Sequence, residues 1–194
     1  MPEAENLACW KCHERAGVAV CVSCGAPQPP PPSPDPFAVL GLTPRFFLDP
    51  TLVDEAYKRL TRKLHPDRFS GKAAVERRMS LQWTAILNDA RRVLRDPDRR
   101  ARWLATGSAE VRERGGPRLD TPFLQQMFTW REEEEEDPGV IAPRAQALAA
   151  SIRAELDALF RAWEAGQGEL SLVEDRLARL KYLDGFAVVP PQKE

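Results

Sequence analysis

The sequence predicts a mainly α-helical protein with two helical domains and a small cysteine-rich module at its N-terminus. Apolar residues recur every three or four positions through most of the chain after residue 50, which is typical of amphipathic helices. Alternation with a period of two, which indicates strands, occurs only at residues 17–22. We therefore expect a helical hairpin with short accompanying helices, followed by a three-helix bundle.

Composition divides the 194 residues into five segments. We predict a tetracysteine module at 1–25, a proline-rich linker at 26–36, a helical domain at 37–107, a linker at 108–118 and a three-helix bundle at 119–186. The first linker has the sequence APQPPPPSPDP, and its prolines fix φ and lack an amide donor. We expect it to be a stiff, extended spacer that packs against nothing.

Charge is segregated along the chain although the formal net charge is only -1. Residues 51–105 contain 14 Lys and Arg against 7 Asp and Glu, and residues 119–184 contain 7 against 14. Two oppositely charged halves indicate two different partner surfaces, with solvated helix faces as the alternative. The near-neutral total and the lack of exposed aromatic residues interleaved with the basic ones disfavour nucleic-acid binding.

The sequence contains no apolar run approaching the roughly 18 residues that span a membrane. Its first residues include acids where a signal peptide has a basic start. We expect a cytoplasmic protein in a reducing compartment, where structural disulfides are rare.

The helical domain contains a basic helix followed by the tripeptide His65-Pro66-Asp67. We expect the helix to bury Val53, Tyr57, Leu60 and Leu64. It ends at His65, because proline disfavours helical geometry in the residue before it. The longer helix that follows has Met79, Trp83, Ile86, Ala90 and Leu94 on its inner face.

This helix–HPD–helix arrangement resembles J domains, since YKRLTRKLHPDRF and NDARRVLRDPDRRARW stand in the order typical of that family. The resemblance implies an adaptor that docks on an ATP-bound DnaK/HscA-class chaperone and triggers its ATPase. The chaperone-binding residues that it implies are Arg59, Arg62, Lys63, His65, Pro66, Asp67 and Arg68. We predict no enzymatic activity, because neither His13 nor His65 is accompanied by a recognisable nucleophile and orienting acid.

In the bundle we expect a first helix that begins with Thr121 as N-cap and runs into the glutamates at 132–136. We expect a second helix at 143–165 and a third at 170–183. The predicted inner residues of the second helix are Leu148, Ile152, Leu156, Leu159 and Trp163.

The strings TPFLQQMFTWREEEEE and RLARLKYLDGF resemble the C-terminal domain of HscB/Jac-type co-chaperones of iron–sulfur cluster biogenesis. The resemblance implies an IscU-type scaffold as client. The scaffold-binding positions that it implies are Leu124, Gln125, Phe128, Thr129, Glu132, Glu136 and Phe160. The alternative is that Phe123, Met127 and Trp130 form a core stripe and the glutamates are only a solvated surface.

The N-terminal module contains two C-x-x-C pairs, Cys9/Cys12 and Cys21/Cys24, separated by eight residues. Two such turns can complete a tetrahedral all-sulfur site, for which structural zinc is the leading metal. An iron–sulfur cluster and a redox dithiol are the alternatives, and His13 is a possible substitute for one of the cysteine ligands.

We expect a compact knuckle with a hairpin near residues 18–22, folded by its metal. It resembles the tetracysteine module of eukaryotic HscB-type proteins. Its role stays open between stability, dimer contact and partner docking.

The sequence thus favours a co-chaperone for an iron–sulfur scaffold. A general J-domain co-chaperone for unfolded clients is one alternative. A zinc-dependent nucleic-acid-binding protein is the other.

Overall fold

The structure is a computed structural model that describes residues 8–111 and 117–187, and these residues form seven α-helices and one 3-10 helix. The helices are α1 Pro36–Leu40, α2 Pro50–Leu64, the 3-10 helix Pro66–Phe69, α3 Ala74–Arg95, α4 Pro97–Thr106, α5 Thr121–Glu136, α6 Ala142–Glu164 and α7 Val173–Ala187. Only isolated antiparallel bridges represent β-structure among the described residues. The prediction of a mainly α fold is confirmed.

The chain divides into two compact units, of which the first ends at Arg100 and the second begins at Ala101. The first contains the tetracysteine knuckle, defined here as residues 8–28, and helices α1 to α3. The second contains helices α5 to α7. No helix in the described part of the chain combines the length and the apolar character that crossing a bilayer requires.

Helices α2 and α3 form an antiparallel hairpin. The Tyr57 hydroxyl donates to Asn88 Oδ1 at 2.7 Å, and Asp54 accepts from Arg91 at 2.8 Å and from Arg95 at 2.9 Å. As the α2 residue number falls, its α3 partner number rises, which fixes the opposite directions of the two helices. At the closed end Ser80 Oγ donates to the carbonyl of the last α2 residue at 2.6 Å, where both groups are buried.

The core of the first unit lies between α1, α2 and α3. Trp83, Ala90 and Leu94 are buried as predicted, whereas Met79 and Ile86 are half-buried. On α2 the predicted stripe is buried at both ends and half-buried in the middle. The other large side chains that are almost fully enclosed in this core are Phe37, Leu40 and Leu87.

The first linker corrects the prediction of a spacer that packs against nothing, because Ala26, Pro27 and Gln28 are buried. The backbone of Gln28 is hydrogen-bonded on both sides. The Gln28 amide donates to Ala19 O at 2.9 Å, and the Gln28 carbonyl accepts from Trp83 Nε1 at 2.6 Å. Backbone groups that find partners can be buried, even beside prolines. The predicted hairpin of the knuckle consists of isolated bridges, of which Ala16 to Cys21 is one.

The second unit is a bundle in which α5 and α7 run in the same direction. Phe123 packs edge-on against Tyr182. Further towards the C-terminus of both helices, Trp130 packs edge-on against Phe186. The residue number of the α7 partner rises as the residue number in α5 rises, so the two helices are parallel. Helix α6 returns between them and buries Ile152 and Leu156 as expected.

Two expectations about the second unit change in detail, and one falls partly outside the described residues. The N-cap of α5 is Asp120 rather than Thr121, because Asp120 Oδ1 accepts from Phe123 N at 2.8 Å and Thr121 is already helical. Leu148, Leu159 and Trp163 are half-buried rather than enclosed. The predicted linker at 108–118 includes residues 112–116, which lie outside the described residues.

Candidate functional site

The His65-Pro66-Asp67 tripeptide occupies the turn between α2 and α3 and carries a defined local structure. His65 is extended, with φ -57° and ψ 131°, and its Nδ1 accepts from the Asp67 amide at 3.3 Å. Pro66 starts the 3-10 helix, and Phe69 anchors the end of this helix in the core. The imidazole thus caps the short helix that presents Asp67.

Asp67 is the most exposed group of the turn, with 90% of its side chain accessible. Its carboxylate lies 3.5 Å from His65 Nδ1. The adjoining Ser70 hydroxyl donates to the Asp67 carbonyl at 2.9 Å. The backbone is therefore held in place while the carboxylate stays accessible to an external donor.

The predicted basic residues form one exposed face beside this turn. Arg59, Arg62 and Lys63 are exposed on α2, and Arg68 donates from the 3-10 helix to the Arg62 carbonyl at 3.4 Å. Neither Arg59 nor Lys63 has an ion pair with any residue in 8–111 or 117–187. Uncompensated cations of this kind produce a long-range positive field.

Helix α5 carries a different surface on the face that it turns away from the bundle. Phe123, Met127 and Trp130 form its buried stripe. Six of the seven predicted scaffold-binding residues lie on the opposite side and are exposed: Leu124, Gln125, Phe128, Thr129, Glu132 and Glu136. The core stripe and an exposed apolar face are both present, and Phe128 is 70% accessible.

Phe160 does not belong to this surface, and its predicted role is corrected. Its side chain is 0% accessible and packs edge-on against Trp163 within the bundle. A side chain without accessible surface offers no contact area to a partner, so we assign Phe160 to the core.

The five consecutive glutamates differ in what they bind. Glu134 accepts from the amides of Gly139 at 2.7 Å and Ile141 at 3.0 Å, closing the turn into α6. Glu133 pairs with Arg144 at 2.5 Å. The predicted residues Glu132 and Glu136 have no such partner among the described residues. Their carboxylates remain available beside Phe128.

The four cysteine sulfurs form a single cluster in which every Sγ lies within 4.8 Å of the others. Cys9 and Cys24 are 3.7 Å apart, and Cys12 and Cys21 are 3.6 Å apart. Zinc–sulfur bonds of about 2.3 Å in a tetrahedron place the sulfurs about 3.8 Å apart, whereas a disulfide requires about 2.05 Å. The spacing fits one shared tetrahedral ion and excludes disulfides.

The electrostatics of the cluster also fit a cation. Burial of Cys9 opposes ionisation, but hydrogen bonds from backbone amides and from Gln28 outweigh it and lower the Cys9 pKa to about 6. A backbone amide favours the thiolate of Cys12, yet burial and the three neighbouring cysteines raise the Cys12 pKa to about 12. Four thiolates this close repel one another, so all four ionise together only around a positive ion. His13 is not a member of the cluster.

Comparison with known proteins places these features in a family. The chain is 38% identical over 124 residues to a protein of Bordetella pertussis described as a co-chaperone protein HscB homolog, and the match covers 63% of this chain and 70% of that protein. This chain belongs to the HscB co-chaperone family. A second HscB homolog, from Cupriavidus taiwanensis, is 37% identical over 99 residues, covering 50% of this chain and 56% of that protein. A scan of protein-family models gives no match.

Solved HscB structures have the same fold. The crystal structure of the human co-chaperone HscB aligns with a TM-score of 0.72 at 24% identity, covering 92% of this chain and 94% of that one. HscB from Vibrio cholerae aligns with a TM-score of 0.60 at 26% identity, covering 79% of this chain and 93% of that one. The helical fold is thus that of HscB proteins.

In this HscB-family chain, sequence reasoning missed the residues that join the cysteine cluster to the helical hairpin. Gln28 donates from Nε2 to Cys9 Sγ at 3.4 Å, while its carbonyl accepts from Trp83. Lys11 lies 2.8 Å from Glu76. Glu76 at the third position of α3 is a signal for helix capping, but nothing in the sequence connects it with Lys11.

Proposed function

We propose that this chain is a J-domain co-chaperone that binds an IscU-type iron–sulfur scaffold and stimulates the ATPase of a DnaK/HscA-class chaperone. The observation that carries the proposal is the capped, exposed His65-Pro66-Asp67 turn at the end of a hairpin with a basic face. Membership of the HscB co-chaperone family supports the same role.

The turn is suited to act as a preorganised ligand for the chaperone. Pro66 and the His65 cap restrict the backbone before binding, which reduces the entropy lost on association. A charge-assisted hydrogen bond from a chaperone arginine to Asp67 would contribute about 1.5–3 kcal/mol. If this contact forms only with one chaperone conformation, it shifts the chaperone towards that conformation and so towards hydrolysis.

The basic face of α2 has a separate part in this mechanism. Arg59, Arg62 and Lys63 are exposed, and Arg68 lies at the turn itself. A group of exposed positive charges accelerates association with an acidic partner, and salt screens this attraction. We infer that these residues mainly set the rate of encounter, while the tripeptide sets the effect on hydrolysis.

The exposed face of α5 supports a distinct site for the scaffold. Leu124 and Phe128 are one turn apart and expose apolar surface beside the carboxylates of Glu132 and Glu136. A central aromatic side chain bordered by charged groups is the usual composition of an interaction hot spot. This arrangement favours a specific folded client over a general J-domain role, and we propose it as the IscU-type site.

We further propose that the cysteine cluster holds structural zinc. Cys9, Cys12, Cys21 and Cys24 would be its ligands, with Gln28 and the Lys11 amide donating to Cys9 Sγ. Zinc with four protein ligands has no open coordination position, so it would supply a cross-link rather than catalysis.

Steady-state ATP hydrolysis by an HscA-class chaperone, with and without the scaffold, tests the proposal. We expect the wild-type chain to stimulate hydrolysis and the scaffold to increase the stimulation. His65→Gln should abolish both effects. Phe128→Ala should retain the basal stimulation and require about tenfold or more scaffold, since burying a phenylalanine contributes about 1.5–3 kcal/mol.

The matched control is Leu172→Ala, which removes an exposed apolar side chain of the same unit outside α5. It should behave as wild type. Equal scaffold requirements for Phe128→Ala and Leu172→Ala would refute the client site. A chain that augments hydrolysis with unfolded peptides but not with scaffold would support the general co-chaperone alternative instead.

A further inference from the structure

The tetracysteine knuckle is held on the helical hairpin by polar contacts on two sides. Lys11 Nζ lies 2.8 Å from Glu76 Oε1, and Trp83 Nε1 donates to the Gln28 carbonyl at 2.6 Å. Both hairpin groups belong to α3, and the Trp83–Gln28 bond is buried. The knuckle and the hairpin therefore belong to one compact unit, and the surface of the knuckle has a fixed position beside α2.

Three adjoining depressions lie on successive sides of α2, between the side that carries the His65 turn and the side that faces the knuckle, and neighbouring depressions share lining residues. The first contains His65 and shares Arg62 with the second. The second shares Lys63 with the third, which reaches residues 17–20 of the knuckle. The surface next to the tripeptide thus continues beyond the helical hairpin.

The depression at the knuckle combines apolar side chains with cations. Val18 comes from the knuckle and Leu60 from α2, while Arg59 and Lys63 lie at the edge. Val18 is 51% accessible although it is a large apolar residue in a small metal-binding module. This mixture is complementary to a partner segment that contains both apolar and acidic side chains.

The local backbone explains how Val18 comes to be exposed there. A Cβ at Gly17 would lie 2.6 Å from the Val20 carbonyl oxygen, so only glycine permits this tight turn. The turn is closed by the antiparallel bridge between Ala16 and Cys21. The turn that ends at Cys21 therefore holds Val18 in a defined conformation.

We infer that the knuckle is part of the chaperone-docking surface, and that Val18 contacts the same DnaK/HscA-class chaperone that contacts the His65 turn. The inference rests on the proposed function. The depression at Val18 is lined by Arg59 and Lys63, which belong to the basic face of α2 that is proposed to bind the chaperone, and this shared lining selects the chaperone as the occupant. A bound metal would serve this contact by fixing the turn that carries Val18.

Binding of the full-length, zinc-loaded chain to an ATP-bound HscA-class chaperone tests the inference. We expect Val18→Asp to weaken binding by about tenfold, as for an apolar contact replaced by a charge. The matched control is Leu81→Asp, which changes an exposed apolar residue of α3 outside the three depressions and should bind as wild type. His65→Gln, measured alongside, reports on the proposed function itself.

The outcomes distinguish failure of this inference from failure of the proposed function. Loss of binding in His65→Gln with unchanged binding in Val18→Asp would overturn the inference and leave the proposed function intact. Unchanged binding in both variants, together with wild-type stimulation of hydrolysis by His65→Gln, would overturn the proposed function. Weaker scaffold binding or altered self-association in Val18→Asp, with chaperone binding unchanged, would assign the surface to the scaffold or to a second copy of this chain.

Hydrogen exchange in the wild-type chain tests the same contact without a substitution that could disturb metal binding. We expect amides at residues 17–22 to gain protection when the ATP-bound chaperone is added and to be unchanged when only scaffold is added. Unchanged exchange at 17–22 alongside protection at residues 62–68 would contradict the inference.

Discussion

The ammonium group of Lys11 lies 2.8 Å from the carboxylate of Glu76, and this pair joins the first C-x-x-C turn to the N-terminus of α3. Glu76 is only 4% accessible, and its second oxygen accepts from the Ala73 amide at 3.2 Å. The hydrogen bond from Lys11 outweighs burial and lowers the pKa of Glu76. A buried, ionised carboxylate thus depends on a residue of the metal-binding module.

Lys11→Met should destabilise the first unit, because it leaves the Glu76 carboxylate buried without its cation. We expect the melting temperature of the zinc-loaded chain to fall by about 3–6 °C. The double variant Lys11→Met/Glu76→Gln should recover part of the loss, and Lys181→Met, at an exposed position of α7, should have no effect. Circular dichroism measures all four proteins, and equal melting temperatures would show that the pair is not stabilising.

Removal of the metal should disturb the helical hairpin as well as the knuckle. Trp10 Nε1 donates to the Pro27 carbonyl at 2.7 Å, and Trp83 donates to that of Gln28, so both indoles report on the same segment. A chelator should therefore lower the melting temperature and shift tryptophan emission to the red.

Cys24→Ser should lose the metal, whereas His13→Asn should retain one zinc per chain. His13 has φ 62°, a value that asparagine tolerates. Unchanged emission and stability after verified zinc removal would contradict the link between the metal site and the hairpin.

Two neighbouring glutamates of α5 should have opposite phenotypes. Glu134→Ala removes the acceptor for the Gly139 and Ile141 amides and should cost about 1–2 kcal/mol of unfolding free energy with scaffold affinity unchanged. Glu132→Ala should leave stability unchanged and weaken scaffold binding by about threefold to tenfold. Urea denaturation measures the stability of both variants, and titration measures their scaffold affinity. Identical behaviour of the two variants would mean that the glutamates at 132–136 contribute only their total negative charge.

The ion pair between Asp120 and Arg179 should make the stability of the second unit depend on pH. Arg179 lies 2.8 Å from Asp120 and, with the Phe123 amide, lowers the Asp120 pKa below its ordinary value of 3.8. Because the folded-state pKa is depressed, the stabilisation is present above about pH 4 and is lost as pH falls through the folded-state value.

Asp120→Asn isolates this charge effect, since asparagine still caps a helix. The difference in melting temperature between wild type and variant should be constant from pH 5 to pH 7 and shrink below about pH 4. A difference that persists undiminished at pH 2 would show that the ion pair is not its source.

Local sequence signals predicted the features that depend on neighbouring residues. Proline at position 66 marked the end of α2, and the spacing of Phe123, Met127 and Trp130 left Phe128 on the opposite face of α5. The contacts that were missed join residues far apart in the chain, such as Lys11 with Glu76 and Gln28 with Trp83. Periodicity could not identify them, because it describes one helix face and not the module packed against it.

Phe160 shows the same limit within a single helix. Helix α6 has apolar residues at 156, 159, 160 and 163, so the pattern alone leaves its rotation ambiguous by one position. The structure encloses Phe160 and leaves Leu159 half-buried. Packing of α6 against α5 and α7 decides which side chain is enclosed, and no local rule supplies that information.

Asp67 and His65 are proposed to act on a nucleotide-driven chaperone. Single-turnover hydrolysis of ATP prebound to an HscA-class chaperone, with this chain in excess, measures that action without contributions from nucleotide exchange. We predict faster hydrolysis with the wild-type chain and with Phe128→Ala, and the unstimulated rate with His65→Gln. An unstimulated rate with the wild-type chain, or equal stimulation by His65→Gln, would show that the His65 turn does not trigger hydrolysis.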